Sequence, residues 1–171
     1  MQAMPKNLVR TKDLSPAEAR RIRHPLNPNS DITIQSLSDR VGMQRAVLSL
    51  ARVPPGKESF LPHAHAVQEE FLYILEGEGT AEIGDQTVQV GPGDYLGFPT
   101  DGVAHHMRNT GSTDLVYLMG GERTPLDIGR FPTAGKILVF DMGSGAIEMY
   151  DQGTAQQLTF ADFAAKDETP R

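Results

Sequence analysis

The chain of 171 residues contains no cysteine. That absence excludes disulfide staples, thiolate metal sites and a thiol nucleophile, and it agrees with a reducing cytoplasm. The opening residues, MQAMPKNLVRTKD, hold no apolar stretch of the signal-peptide kind, and no run anywhere approaches the length of a membrane helix. A soluble cytoplasmic protein with no membrane partner is therefore expected. Basic clusters are scarce too. With 16 Lys and Arg against 22 Asp and Glu the formal net charge is -6, whereas a binder of nucleic-acid phosphates needs clustered positive charge. The one short cluster, Arg20-Arg21-Ile22-Arg23-His24, reads as a solvated helix end or a local salt-bridge partner. The glycines follow no phosphate-loop pattern, and no Ser-His-Asp arrangement stands out.

What is present centres on residues 56–77, GKESFLPHAHAVQEEFLYILEG. His63 and His65 stand at i and i+2, so in an extended strand both imidazoles leave the same face and can reach one point. Glu70 follows after four residues, enough for the chain to turn and return, and it opens the alternating run Glu70-Phe71-Leu72-Tyr73-Ile74-Leu75. A second segment, residues 91–109, supplies His105 as a fourth ligand on a strand that begins after a Gly/Pro-rich loop. Three imidazoles and one carboxylate suit a divalent transition metal such as Zn, Fe, Mn or Ni better than Ca or Mg.

These segments resemble the two motifs of the cupin superfamily. Gly56, His63, His65, Glu70 and Gly77 match the first, with six rather than five residues between Gly56 and His63. Gly93, Pro99, Gly102, His105 and Asn109 match the second, with Thr100-Asp101 where the family usually has a single residue. The resemblance implies a small double-sheet, jelly-roll-like β-barrel with His63, His65, Glu70 and His105 as metal ligands. It also implies activities in the range of dioxygenase, decarboxylase, isomerase or lyase on a small organic metabolite, or non-catalytic binding or sensing of such a molecule. Homodimers are common in the family, and the N-terminal arm and the Phe71/Tyr73 face are where a second copy is expected to dock.

The rest of the chain agrees with an all-β class. Strand-like runs at 32–34, 44–53, 61–65, 70–75, 80–83, 86–90, 95–98, 104–109, 115–119 and 137–142 are punctuated by Gly and Pro. A further short strand is expected within 143–153. Gly84-Asp85 is a two-residue spacer with Gly first, which favours a type II′ hairpin. Ser15-Pro16-Ala17-Glu18 predicts a short N-terminal helix, capped by Ser15 and ended before Pro25 and Pro28. Residues 120–136 read as a Gly/Pro-rich loop, Thr159 as the cap of a terminal helical turn, and 166–171 as disordered. We read one domain in three parts: an arm and short helix over 1–40, a barrel core over 41–120 carrying both motifs, and completing strands and tail over 121–171.

Parity sorts the remaining candidates. Leu61, Leu72, Ile74 and Met107 share the ligands' side and are expected to line the pocket. Arg52, on the Leu48/Leu50 face of its strand, would anchor a substrate carboxylate if that face were inward; the favoured alternative is that it snorkels to solvent at the strand's end. His106, Glu69 and Tyr73 fall on opposite faces from the ligands, which favours structural or surface roles.

Overall fold

The computed structural model describes residues 5–163. Among them the strands are, in order, β1 (Arg20–Ile22), β2 (Ile32–Ser36), β3 (Ala46–Val53), β4 (Ala64–His65), β5 (Glu70–Glu76), β6 (Gly79–Ile83) and β7 (Gln86–Val90). They continue with β8 (Tyr95–Phe98), β9 (His105–Arg108), β10 (Leu115–Glu122), β11 (Leu126–Phe131), β12 (Lys136–Asp141) and β13 (Ala146–Asp151). The helical content is single 3-10 turns, and no described helix is long and apolar enough to cross a membrane.

A six-stranded sheet runs β1-β2-β3-β10-β5-β8, all antiparallel. Opposite it stand two smaller sheets, β7-β6-β9 and β13-β12-β11-β4, joined where His63 and His105 form an antiparallel bridge. One apolar cluster unites the layers. Ile32, Ala51, Val53, Leu72, Ile74, Leu96, Phe98, Leu115 and Tyr117 enter it from the large sheet, and Ala81, Val90 and Met107 from β6, β7 and β9. Alternation explains this: along β5, Leu72 and Ile74 are buried while Tyr73 and Leu75 are exposed. Tyr73 lies opposite the exposed Tyr95 on the outer face.

The β6–β7 hairpin closes with Ile83 opposite Gln86, and Gly84 takes φ 60° while Asp85 keeps negative φ, as a type II′ turn requires. Gly77 shows why its motif position tolerates nothing larger. Its φ is 79°, and a Cβ there would lie 2.3 Å from the Asp114 carbonyl oxygen.

The structure differs from the sequence reading at three places. The N-terminal helix is a single 3-10 turn, Pro16–Glu18, with the Ser15 side chain accepting from Ala17 N at 3.3 Å. The chain then enters β1, because pairing with β2 satisfies its backbone whereas an isolated short helix is marginal. Arg21 donates Nε–H to Asp31 at 2.6 Å, so the basic cluster is a local salt-bridge partner. Second, the expected loop over 120–136 contains β11, paired to β12 on one side and β4 on the other. Asp127 and Gly129 are poor strand formers and hid its alternation. Third, the inward face of β3 is the one carrying Ala51 and Val53, so Leu48, Leu50 and Arg52 face outward. The terminal turn forms as Phe160–Phe163, with Thr159 N–H donating to Asp162 at 2.6 Å. Residues 166–171 lie outside the described residues.

Candidate metal centre

His63 and His105 face each other across adjacent strand segments. His63 N–H donates to the His105 carbonyl at 3.1 Å and His105 N–H to the His63 carbonyl at 2.8 Å. That reciprocal pair holds the two imidazoles on one side, with ring centroids 4.6 Å apart. His65, two residues on, emerges on the same side from β4, opposite Gly129 of β11. Glu70 arrives from the facing sheet at the first position of β5. Its Oε2 lies 3.3 Å from Nε2 of both His65 and His105. His63, Glu70 and His105 offer ligand-type atoms within 4.8 Å of one another.

Each ring nitrogen has a defined environment. His63 Nδ1–H donates to the Leu61 carbonyl at 2.7 Å, which leaves Nε2 as the lone-pair atom. His65 Nδ1 bonds Asp127, and its Nε2 is buried without a hydrogen-bond partner, as is His105 Nδ1. Aromatic rings close the surroundings. Phe98 stacks on His105 with centroids 3.7 Å apart, Phe131 stacks on His63 at 5.5 Å, and Phe60 meets His63 edge-on at 6.0 Å. The buried His105 Nδ1 has no partner and His65 Nε2 faces only the Glu70 carboxylate, and this donor set is one that fits a divalent transition metal.

Electrostatics separate the histidines. Burial, aided by His105, pushes His63 down to about 3, so it stays neutral. For His65 burial acts to lower the pKa, but Glu70 and Asp127 outweigh it and raise it to about 9. Burial would raise Glu70, yet the hydrogen bond from His105 and the facing His65 ring hold it well below the carboxylate range.

These shifts predict how the metal-free protein responds to pH. His65 contributes its full stabilisation below 6.5, its unfolded value, and loses it as pH rises towards 9. His63, depressed from 6.5 to about 3, contributes above 6.5 and loses that as pH falls. Glu70, depressed from 4.5, adds to the acid-side loss. Thermal melts of metal-stripped protein should therefore give a maximum midpoint near pH 6.5, falling on both sides. A midpoint that climbed steadily through that range would contradict the assignment.

Of the expected lining residues, Leu72, Ile74 and Met107 lie on the ligands' side within the core, and Leu61 reaches the site through its carbonyl. Arg52 does not. It is exposed on the outer face, beside a cavity of about 390 Å³ under the N-terminal arm that Leu14, Pro16 and Gln35 also line. The condition for an Arg52 anchor, an inward Leu48/Leu50 face, is not met, and Arg52 takes the solvent alternative; both faces of β3 carry apolar residues, and Leu50 is buried on the outer one, beside the arm. His106 does point away from His105, but it is buried between Glu58 and Glu82, 3.5 Å from each. Sequence reasoning missed Asp127 and Phe131; the signal was the alternation Asp127-Ile128-Gly129-Arg130-Phe131 between Pro125 and Pro132.

A two-layer β-barrel with imidazoles from one layer and a carboxylate from the other converging between them defines a barrel protein with a candidate His/Glu metal site. Residues 49–121 match the cupin domain family. A solved structure from Acidithiobacillus ferrooxidans, provisionally described as a sugar phosphate isomerase, is 32% identical, with TM-score 0.83 over 90% of this chain and 97% of its own. The oxalate-binding protein of Thermotoga maritima is 31% identical over 113 residues, 65% of this chain and 89% of that protein. A cupin-superfamily sugar phosphate isomerase from Silicibacter pomeroyi shares the fold at 22% identity, with TM-score 0.72 over 86% of this chain and 98% of its own. The chain belongs to the cupin family.

Proposed function

We propose that His63, His65, Glu70 and His105 would hold one divalent transition metal, and that the site binds a small organic anion carrying oxygens on adjacent carbons. The observation that carries this reading is the convergence of Glu70 with the histidines while the other nitrogens of His63 and His65 are already engaged by the Leu61 carbonyl and Asp127. That arrangement leaves Nε2 of each ring for the ion. Zn, Fe, Mn and Ni all suit the donor set. Bound there, the metal would supply a Lewis acid that polarises a carbonyl oxygen. Glu70 offsets part of the ion's charge, and Phe60, Phe98 and Phe131 keep water from the ring faces they cover. Tyr117, whose burial and nearness to Glu70 raise its pKa, stays a neutral phenol within reach of that carboxylate's field.

The ligand class follows from chemistry that two relatives share. Oxalate carries oxygens on adjacent carbons, and so does the carbonyl and neighbouring hydroxyl of an open-chain sugar. The first is bound by the relative at 31% identity, and the second belongs to the reaction class ascribed to the structure at 32%. The likeness over 90% of the chain favours a second reading, in which the bound molecule is also converted, by isomerase or lyase chemistry.

The deciding experiment is elemental analysis of protein purified without an affinity tag, beside a His63→Ala/His65→Ala double variant. Near-stoichiometric metal in the wild type and none in the variant is expected. Oxalate should then give calorimetric binding to the loaded protein and none to the stripped one. If wild type and variant remain equally metal-free after reconstitution, the ligand assignment is wrong.

A further inference from the structure

Asp127 lies outside both sequence motifs and outside the matched residues 49–121, yet it is 2% exposed and sits against the site. One of its carboxylate oxygens accepts from His65 Nδ1–H. The other accepts from Val67 N–H at 3.1 Å and Gln68 N–H at 3.4 Å. Both segments that Asp127 grips bear on the centre. His65 is a candidate ligand, and residues 66–69 are the link that delivers Glu70 to the first position of β5. The grip is backed by backbone pairing, since Ala66 N–H donates to the Ile128 carbonyl at 3.0 Å and β4 pairs with β11 at Gly129 and Arg130.

We infer that Asp127 is a positioning residue for the metal: it keeps the His65 proton on Nδ1, so that Nε2 is the nitrogen presented beside Glu70, and it sets the chain between the two ligands. The inference rests on the metal-site reading above. Its physical basis is that a ligating imidazole has one nitrogen for the ion and one for a partner, and a carboxylate partner fixes the ring's orientation and its tautomer together. The cupin motif segment alone therefore does not complete the site. The strand that follows it contributes the residue that orients one ligand.

The test compares wild type, Asp127→Asn and Asp127→Ala. Asn is nearly the same size and can keep an oxygen towards Val67 and Gln68, but it then turns an amide N–H₂ against His65 Nδ1–H. Zn²⁺ affinity is measured by competition with a chelator, and the His65 ring nitrogens are followed by long-range ¹H–¹⁵N NMR of the Zn²⁺-loaded protein. Both variants should lose about 10- to 100-fold in Zn²⁺ affinity, and both should lose the protected Nδ1–H signature of His65, while backbone amide shifts away from residues 61–70 and β11 stay in place. Unchanged affinity in Asp127→Asn would overturn the inference. So would a loss of affinity with the His65 nitrogen signature intact, because that would reduce Asp127 to a loop anchor. A wild-type protein that binds no Zn²⁺ would instead defeat the metal-site reading itself, a result the variants do not affect.

Discussion

Glu70→Gln is expected to lower metal affinity about a thousandfold while the strands stay in place. Glu70 is the sole anion among the four proposed ligands. Even two unit charges about 4 Å apart interact by about 4 kcal/mol at the effective dielectric of a protein site, a lower bound for a divalent ion, and each ~1.4 kcal/mol is a factor of ten. Gln keeps the shape and one carbonyl oxygen, so the loss reads the charge rather than the packing. The same change should lower the pKa of His65 in the metal-free protein, because Glu70 is the larger of the two influences that raise it. Chelator competition measures the affinity, and far-ultraviolet circular dichroism checks the fold. A loss below about tenfold would show that the carboxylate is not a ligand and that the site, if occupied, is held by imidazoles alone.

Asn109→Ala should be the most damaging single change for stability, at roughly 3–6 kcal/mol. Asn109 has no solvent exposure. Its Nδ2 donates to the Val53 carbonyl at 2.7 Å and the Thr113 carbonyl at 2.8 Å, and its Oδ1 accepts from Gly111 N–H at 2.9 Å. The backbone adds two more ties, to the Lys57 carbonyl at 2.9 Å and from Gly56 N–H at 3.0 Å. One side chain thus joins the end of β3, the end of β9 and the turn before β10. Alanine removes three hydrogen bonds and leaves two carbonyls and an amide facing the cavity it opens. For a chain of this size the melting midpoint should fall by roughly 10–20 °C. Calorimetry on metal-stripped protein isolates the fold from the site. A drop under a few degrees would mean that water replaces the amide without strain. The larger drop would give the motif position structure as its reason, with Asn109 bearing on the proposed metal site only by steadying the strand that carries His105.

Some of this is legible in the sequence alone. The i, i+2 spacing puts His63 and His65 on one face whatever the fold, because pleating is a property of the extended backbone. The bounds of β7 and β8 fall where Gly, Pro and Asp punctuate the chain. Gly84-Asp85 announced its hairpin because a positive φ is needed there and glycine supplies it.

Which face of a strand is inward is a different kind of fact. In β3 the two faces are nearly equal in apolar content, and the N-terminal arm lies beside the outer one, so no local pattern could place Arg52 correctly. Strand parity sends His106 to the face opposite His105, but its burial between Glu58 and Glu82 depends on chain segments far from it in sequence. Asp127 stands 62 residues from His65, and its strand lacks the β-branched composition that marks strands locally.

The sequence by itself determined the chemistry of the donors, the parity that sends them out on one side and the turns that bound most strands, because each depends on bonds and sterics within a few residues. The tertiary structure alone decided that His63 and His105 lie in reciprocal register, that Glu70 meets them from the opposing sheet and that Asp127 stands behind His65. Those are pairings between distant segments, selected by the burial of a shared core and the satisfaction of backbone hydrogen bonds over the whole barrel.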